Sequence, residues 1–115
     1  MASAHEVRKQ LAEPARRLHR DVPEVIDSFA AMTRAVMKDG ALTAKVKELI
    51  ALAIAATKQC DGCIAAHALG AAAQQATEEE VAEALSVVVM MNGGPGTVWA
   101  PRALAAYVEF HEASA

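Results

Sequence analysis

Residues 43–70 read TAKVKELIALAIAATKQCDGCIAAHALG, and the rest of the chain arranges itself around them. Glu48 is followed by eight uninterrupted apolar residues, Leu49 to Ala56. The only two cysteines then stand at Cys60 and Cys63, and His67 follows four residues after the second. If the chain is helical beyond Asp61, Cys63 and His67 lie at i and i+4 and share a face. Cys60 then lies one position before the helix or in its first turn. Residues 60, 63 and 67 fall within about 60° of one another around the axis. One stripe thus carries two thiols and an imidazole. Glu48 belongs to the preceding helix, where its neighbours at helical spacing, Ala44, Ala51, Leu52 and Ala55, are all apolar. Apolar surroundings disfavour the charged form of a carboxyl, and a general base poised near neutral pH is made that way.

Around this stretch the pattern is helical throughout. Thr43 is placed to cap a helix running to Thr57, apolar over most of its circumference and therefore expected to be central. Residues 58–62 form a short connection, and a second Ala-rich helix spans Ile64 to Gln75. Thr77-Glu78-Glu79-Glu80 reads as a capping box opening a helix to Met91. Asn92-Gly93-Gly94-Pro95-Gly96 breaks the chain before a last helix from Val98 to Glu112 with Leu104, Val108 and Phe110. Upstream, residues 1–4 are expected to fray. The segment His5 to Arg20 is helical in composition but interrupted by Pro14, so either one broken helix or a helix starting near Pro14 is expected. Asp21-Val22-Pro23-Glu24 reads as a helix start with Asp21 as N-cap. Val25, Ile26, Phe29, Met32, Val36 and Met37 follow at helical spacing, and Gly40 is expected as a left-handed C-cap. Val87-Val88-Val89, the only β-like run, is read as helix from its context.

A chain of 115 residues is one domain with a modest core. Hydrophobic residues make up 54%, but aromatics only 3%, which favours close-packed helices over sheets. The fold class is therefore all-α, a helical bundle of about five to six helices. Residues 1–20 are read as an N-terminal helical arm and 21–112 as the domain proper. The net charge of −3 argues against nucleic acid as partner, since Arg16, Arg17 and Arg20 are flanked by Glu13, Asp21 and Glu24. No apolar window reaches a membrane span, and no secretory signal is apparent, so a cytoplasmic location is expected. In that compartment a Cys-x-x-Cys pair is more often catalytic or metal-binding than a structural staple. The apolar helices 43–57 and 81–91 exceed what one small chain can bury, which predicts a homo-oligomer.

The bland readings of the stretch are weaker than the chemical one. Two thiols that merely fill a core would not sit at a polar helix entry formed by Lys58, Gln59 and Asp61. A structural zinc site needs four ligands and typically pairs one Cys-x-x-Cys with another pair, whereas here only His67 lies nearby and Glu48 would have to complete the set. Glu48 alone would pass for a surface acid served by Lys45 and Lys47, and His67 alone for a surface histidine; their value lies in the combination. His5, His19 and His111 have no comparable setting. Trp99, Tyr107 and the methionines read as core or interface, and the Gly-Gly-Pro-Gly run after a helix is not a phosphate loop. No cofactor and no metal is assigned.

Glu48, eleven intervening residues, Cys60-Asp61-Gly62-Cys63, three residues and His67 together resemble the signature of the alkylhydroperoxidase D-like family, within the carboxymuconolactone decarboxylase superfamily. The likeness is strong over about 43–70 and weaker over roughly 20–110. It implies an all-α fold, homotrimers or homohexamers, and reduction of a small-molecule hydroperoxide at the expense of a dithiol or protein reductant. It further implies that Cys63 attacks the peroxide and becomes a sulfenic acid. Cys60 would be the proton donor and resolving thiol, closing a Cys60–Cys63 disulfide, with Glu48 and His67 as the proton relay. The chain departs from the pattern twice. The family's peroxidases carry a histidine just before the second cysteine, here Gly62, and many members end the Cys helix with a glycine, here Gln75-Ala76-Thr77.

The chemistry suits these residue types. A thiolate attacks the peroxide, a helix N-terminus favours a thiolate, and a sulfenic acid needs a resolving thiol within reach. The helix dipole alone favours Cys60 as the more acidic thiol, whereas the likeness favours Cys63. Two other functional classes remain open: a decarboxylase-type lyase, by kinship, and a non-enzymatic redox-sensing helical module.

Overall fold

Side-chain caps start four of the six helices in the computed structural model, which describes residues 2–114. The order is α1 Ala4–Asp21, α2 Pro23–Val36, α3 Ala44–Thr57, α4 Asp61–Ala73, α5 Glu78–Asn92 and α6 Gly94–Ser114, with no strand among the described residues. Helices α3 to α6 form the bundle: α3 packs on α4, α5 and α6, α4 on α6, and α5 on α6. Helix α1 lies across α4, and α2 has its main packing against α1 alone.

Alanine sets the spacing. Ala65, Ala68 and Ala71 of α4 and Ala103 of α6 are fully buried, so these helices approach closely at their contact face. Leu52, Ile64, Val81 and Tyr107 are the largest completely buried side chains. Tyr107 reconciles its hydroxyl with that burial by donating to the Ala76 carbonyl, and its oxygen lies 3.2 Å from His111 Nδ1. At the α5–α6 junction Gly93 alone makes the turn, with φ +63°. Gly96 then lets the two helices touch: a Cβ there would lie 2.7 Å from the Val88 carbonyl oxygen and 2.9 Å from Val89 Cα.

The caps at Thr43 and Thr77 are as expected, the second a full capping box with Glu80. Several other expectations are corrected. Helix α1 runs unbroken through Pro14. The proline frees the carbonyl of Gln10, but both residues are exposed and water can satisfy it. The helix starts at Ala4 rather than fraying, because Ser3 Oγ accepts the Glu6 N–H and Glu109 accepts the Ala4 N–H at 2.9 Å; Met1 lies outside the described residues. Asp21 is the last residue of α1, not the N-cap of α2, which starts at Pro23 with Val22 before it and no side-chain cap. Proline at that position has no N–H left to satisfy.

Gly40 is not left-handed, and α2 ends at Val36. Lys47 Nζ closes that end by donating to the Val36 and Lys38 carbonyls at 2.8 and 2.7 Å, while Asp39 takes the Ala44 N–H at 2.7 Å. Helix α4 ends at Ala73, and the left-handed residue beyond it is Gln75, φ +62°, where the family pattern has glycine. Helix α6 starts at Gly94, four residues before Val98, since Pro95 fits a first turn.

Helix α3 is not enclosed. Ile50 and Ile54 are about half exposed, as is Val87 of α5, and with Val46, Leu49 and Ala53 they line an open apolar groove rimmed by Glu80 and Glu83. Helix α2 is barer still: none of its residues is buried, and Val25, Phe29, Met32 and Val36 are each more than half exposed along one stripe. No helix among the described residues is long and apolar enough to cross a membrane.

Candidate active site

A short reversal brings the site together. Helix α3 ends at Thr57, Lys58 and Gln59 turn the chain, with Gln59 in the left-handed region at φ +55°, and Cys60 caps α4. So tight a connection lays α3 and α4 side by side and antiparallel. Glu48, near the start of α3, therefore comes to face His67, at the middle of α4.

Cys60 and Cys63 are joined by a disulfide, their Cα atoms 5.2 Å apart, within the usual span for such a bridge. Cys60 is the N-cap, and its sulfur accepts the Cys63 N–H at 3.3 Å. That bond and the positive end of α4 both favour negative charge on the Cys60 sulfur once the bridge opens. Cys63 is exposed and Cys60 half-buried. Asp61, in the first turn of α4, suits the same helix end.

One turn further along, His67 Nδ1 and Glu48 Oε2 are 2.9 Å apart, with the side chains 27% and 14% exposed. An ionised carboxylate only accepts, so the bond is made when Nδ1 carries the hydrogen, which leaves the Nε2 lone pair free to take a proton. Neither expected competitor holds Glu48. Lys45 instead pairs with Glu80 at 2.8 Å, tying α3 to α5. The Lys45 ammonium and the Thr77 N–H hold the Glu80 carboxyl below the usual carboxylate range. Lys47 is occupied at the end of α2.

The four residues singled out from sequence thus form two bonded pairs, Cys60–Cys63 at the start of α4 and Glu48–His67 one turn further along it. In this disulfide form no hydrogen bond among the described residues links the imidazole to either sulfur. The described residues contain no group of three or more His, Cys, Asp or Glu side chains arranged to hold a metal.

Two glycines lie beside the site: Gly62, already noted as standing where the family's peroxidases carry histidine, and Gly70, which nothing in the sequence singles out. A Cβ on Gly62 would lie 3.0 Å from Leu11 Cδ1, so the bare position 62 lets the Leu11 side chain of α1 lie close against the disulfide turn. A Cβ on Gly70 would lie 2.7 Å from Glu48 Oε1 and closer still to the rest of the carboxylate. Neither signal is visible before α1 and α3 are docked on α4. The histidines left unassigned are structural ties. His5 Nδ1 pairs with Glu109 at 2.9 Å, joining α1 to α6, and His19 Nε2 with Asp27 at 2.7 Å, joining α1 to α2.

Comparison with known proteins agrees with this architecture. The model of the carboxymuconolactone decarboxylase family matches residues 23–106. An uncharacterised protein of Cupriavidus necator is 43% identical over 83 residues, covering 72% of this chain and 74% of its own. An uncharacterised protein of the cox locus of Paracoccus denitrificans is 42% identical over 79 residues, 69% of this chain and 71% of its own. The crystal structure of a carboxymuconolactone decarboxylase family protein from Legionella pneumophila, in its apo form, superposes with a TM-score of 0.90 at 40% identity, covering 94% of this chain and 96% of that one. With the all-α bundle, the cysteine pair and these matches in agreement, the chain belongs to the carboxymuconolactone decarboxylase family and carries the alkylhydroperoxidase D-like signature within it.

Proposed function

We propose that the protein is a thiol-dependent peroxidase that reduces hydroperoxides through the Cys60–Cys63 dithiol. The observation that carries the reading is a carboxylate–imidazole pair, Glu48–His67, bonded at 2.9 Å one helical turn from a disulfide at a helix N-terminus. A lyase has no evident use for an oxidisable dithiol, and a disulfide that is only a switch has none for a carboxylate–imidazole pair.

In the reduced protein, Cys63 thiolate attacks the terminal peroxide oxygen and the O–O bond breaks. Cys63 becomes a sulfenic acid, and the alkoxide leaves with a proton supplied by the His67 imidazole, which Glu48 orients and steadies while it is charged. Cys60 then attacks the sulfenic sulfur, the disulfide closes and water leaves. A dithiol reductant restores the pair. Its thiolate attacks the exposed Cys63 sulfur, Cys60 departs as a thiolate held by the Cys63 N–H, and the reductant's second thiol releases itself as a disulfide.

The same reading makes the protein a homo-oligomer. The bare stripe of α2 and the open α3–α5 groove are the support for it, since contiguous exposed apolar area of this kind marks contact surface.

The deciding experiment measures consumption of hydrogen peroxide and an alkyl hydroperoxide with a dithiol reductant, comparing wild type with Cys63→Ser. Turnover lost in the variant supports the peroxidase. Absence of turnover in wild type, with disulfide formation intact, leaves a redox sensor. Carbon dioxide released from a carboxylated substrate would make it a lyase.

A further inference from the structure

We infer that Gly70 is a positioning residue for the candidate site, holding open the space that the Glu48 carboxylate occupies. Helix α4 is rich in alanine, the best helix former, yet places glycine at the start of its last turn. Glycine there weakens the helix and must be accounted for by something else. The backbone does not call for it: Gly93 is the only glycine with positive φ among the described residues, so Gly70 has a conformation that any residue adopts. The three atoms nearest an added Cβ are not backbone. They are the carboxylate of one side chain, with Glu48 Oε1 at 2.7 Å and its carbon and second oxygen nearer still. The missing side chain and the acid share one volume.

Position explains the arrangement. Gly70 lies three residues beyond His67 and on the same side of α4. Glu48 reaches across from α3, passes over the bare backbone at Gly70 and meets Nδ1 of the imidazole. The Glu48 side chain is only 14% exposed, and Gly70 forms part of the floor beneath its carboxylate. Any side chain at 70 forces the carboxylate to swing away. Glu48 is flexible enough to do so, and the fold therefore survives while the pair with His67 is lost.

Gly70→Ala separates this role from a structural one, because alanine is the better helix residue. Helical content, oligomer mass and melting temperature should be unchanged or raised. The imidazole ¹⁵N resonances of His67 should change from those of a ring hydrogen-bonded at Nδ1 to those of a ring exchanging between tautomers, matching Glu48→Ala, which removes the acceptor outright. The activity arm rests on the peroxidase reading. There, the reaction of the reduced protein with hydrogen peroxide should slow about 10- to 100-fold, to the level of Glu48→Gln. The pH profile should change in the same way, and Glu48→Gln added to Gly70→Ala should slow it no further. Retention of the wild-type His67 signature in Gly70→Ala would overturn the inference, whatever the activity. If the signature changes but wild type does not turn over peroxide, the positioning role stands and the peroxidase reading fails.

Discussion

Replacing Glu48 by Gln tests whether the site works as a relay. The change keeps shape and an acceptor oxygen but removes the charge. The bond it weakens is 2.9 Å long, between side chains 14% and 27% exposed, a largely sheltered contact between a carboxylate and an imidazole. Hydrogen bonds to charged groups contribute roughly 1.5–3 kcal/mol, and about 1.4 kcal/mol corresponds to tenfold. If the pair acts while the imidazole is charged in the transition state, Glu48→Gln should slow the reaction of the reduced protein with hydrogen peroxide about 10- to 100-fold near pH 7. His67→Ala, which deletes the proton carrier itself, should cost on the order of 10²-fold or more. The double variant should stay close to His67→Ala rather than reach the product of the two, because both changes break one path. Stopped-flow measurement of thiol loss under excess peroxide gives the three rates, with circular dichroism and light scattering as controls for helix and mass. Two single variants as fast as wild type, or a double variant equal to the product of the singles, would refute the relay.

Other elements give further expectations. Phe29→Asp, with Phe29 63% exposed in the middle of the α2 stripe, should lower the oligomer mass seen by light scattering at micromolar concentration without loss of helix; a monomeric wild type would remove the basis for proposing assembly. Gly96→Ala should destabilise by about 1–3 kcal/mol, read as a lower urea midpoint, because its Cβ meets the Val88 and Val89 backbone, which cannot yield without parting α5 from α6. Glu109 carries the pH dependence of the α1–α6 junction. Burial raises its pKa, but the hydrogen bonds from His5 and from the Ala4 and His5 N–H groups outweigh this and leave the carboxyl below its ordinary value. A carboxyl lowered on folding adds stability above its unfolded pKa, which is lost as pH falls through the folded one. Stability should therefore decline on acidification below the ordinary glutamate range, and Glu109→Gln should flatten that decline in urea titrations.

Much of this architecture was legible in the chain because it is local. Thr43 and Thr77 announce their helices through side-chain oxygens that reach only three residues, and the spacing of Cys60, Cys63 and His67 selects one face wherever the helix lies. What was not legible depends on which helix is laid against which. Pro14 reads as a break in isolation, but α1 is held from outside, by Glu109 at its first turn and by burial of Ala4 and Val7. Gly40 reads as a cap until Lys47, from the next helix, is found closing α2 in its place. The apolar circumference of α3 signals more surface than one chain buries, but which part of it faces outward is fixed only when α4, α5 and α6 are laid against it.

The two glycines of α4 carry the same point into the chemistry. Neither Gly62 nor Gly70 has a conformational signature; in sequence Gly62 is marked only by the family's histidine at its position, and Gly70 looks like an ordinary member of an Ala-rich helix. Each acquires meaning from a side chain more than twenty residues away in the sequence: Leu11 from α1 over Gly62, and Glu48 from α3 over Gly70. Their neighbours differ in consequence. Leu11 is 48% exposed and touches by a terminal methyl, so α1 can accommodate a side chain at 62 by moving outward. Glu48 has no such freedom without losing His67. The family's histidine position and the carboxylate's seat therefore place different constraints on the site: the first governs how closely α1 approaches the disulfide, and the second whether the acid–base pair exists at all.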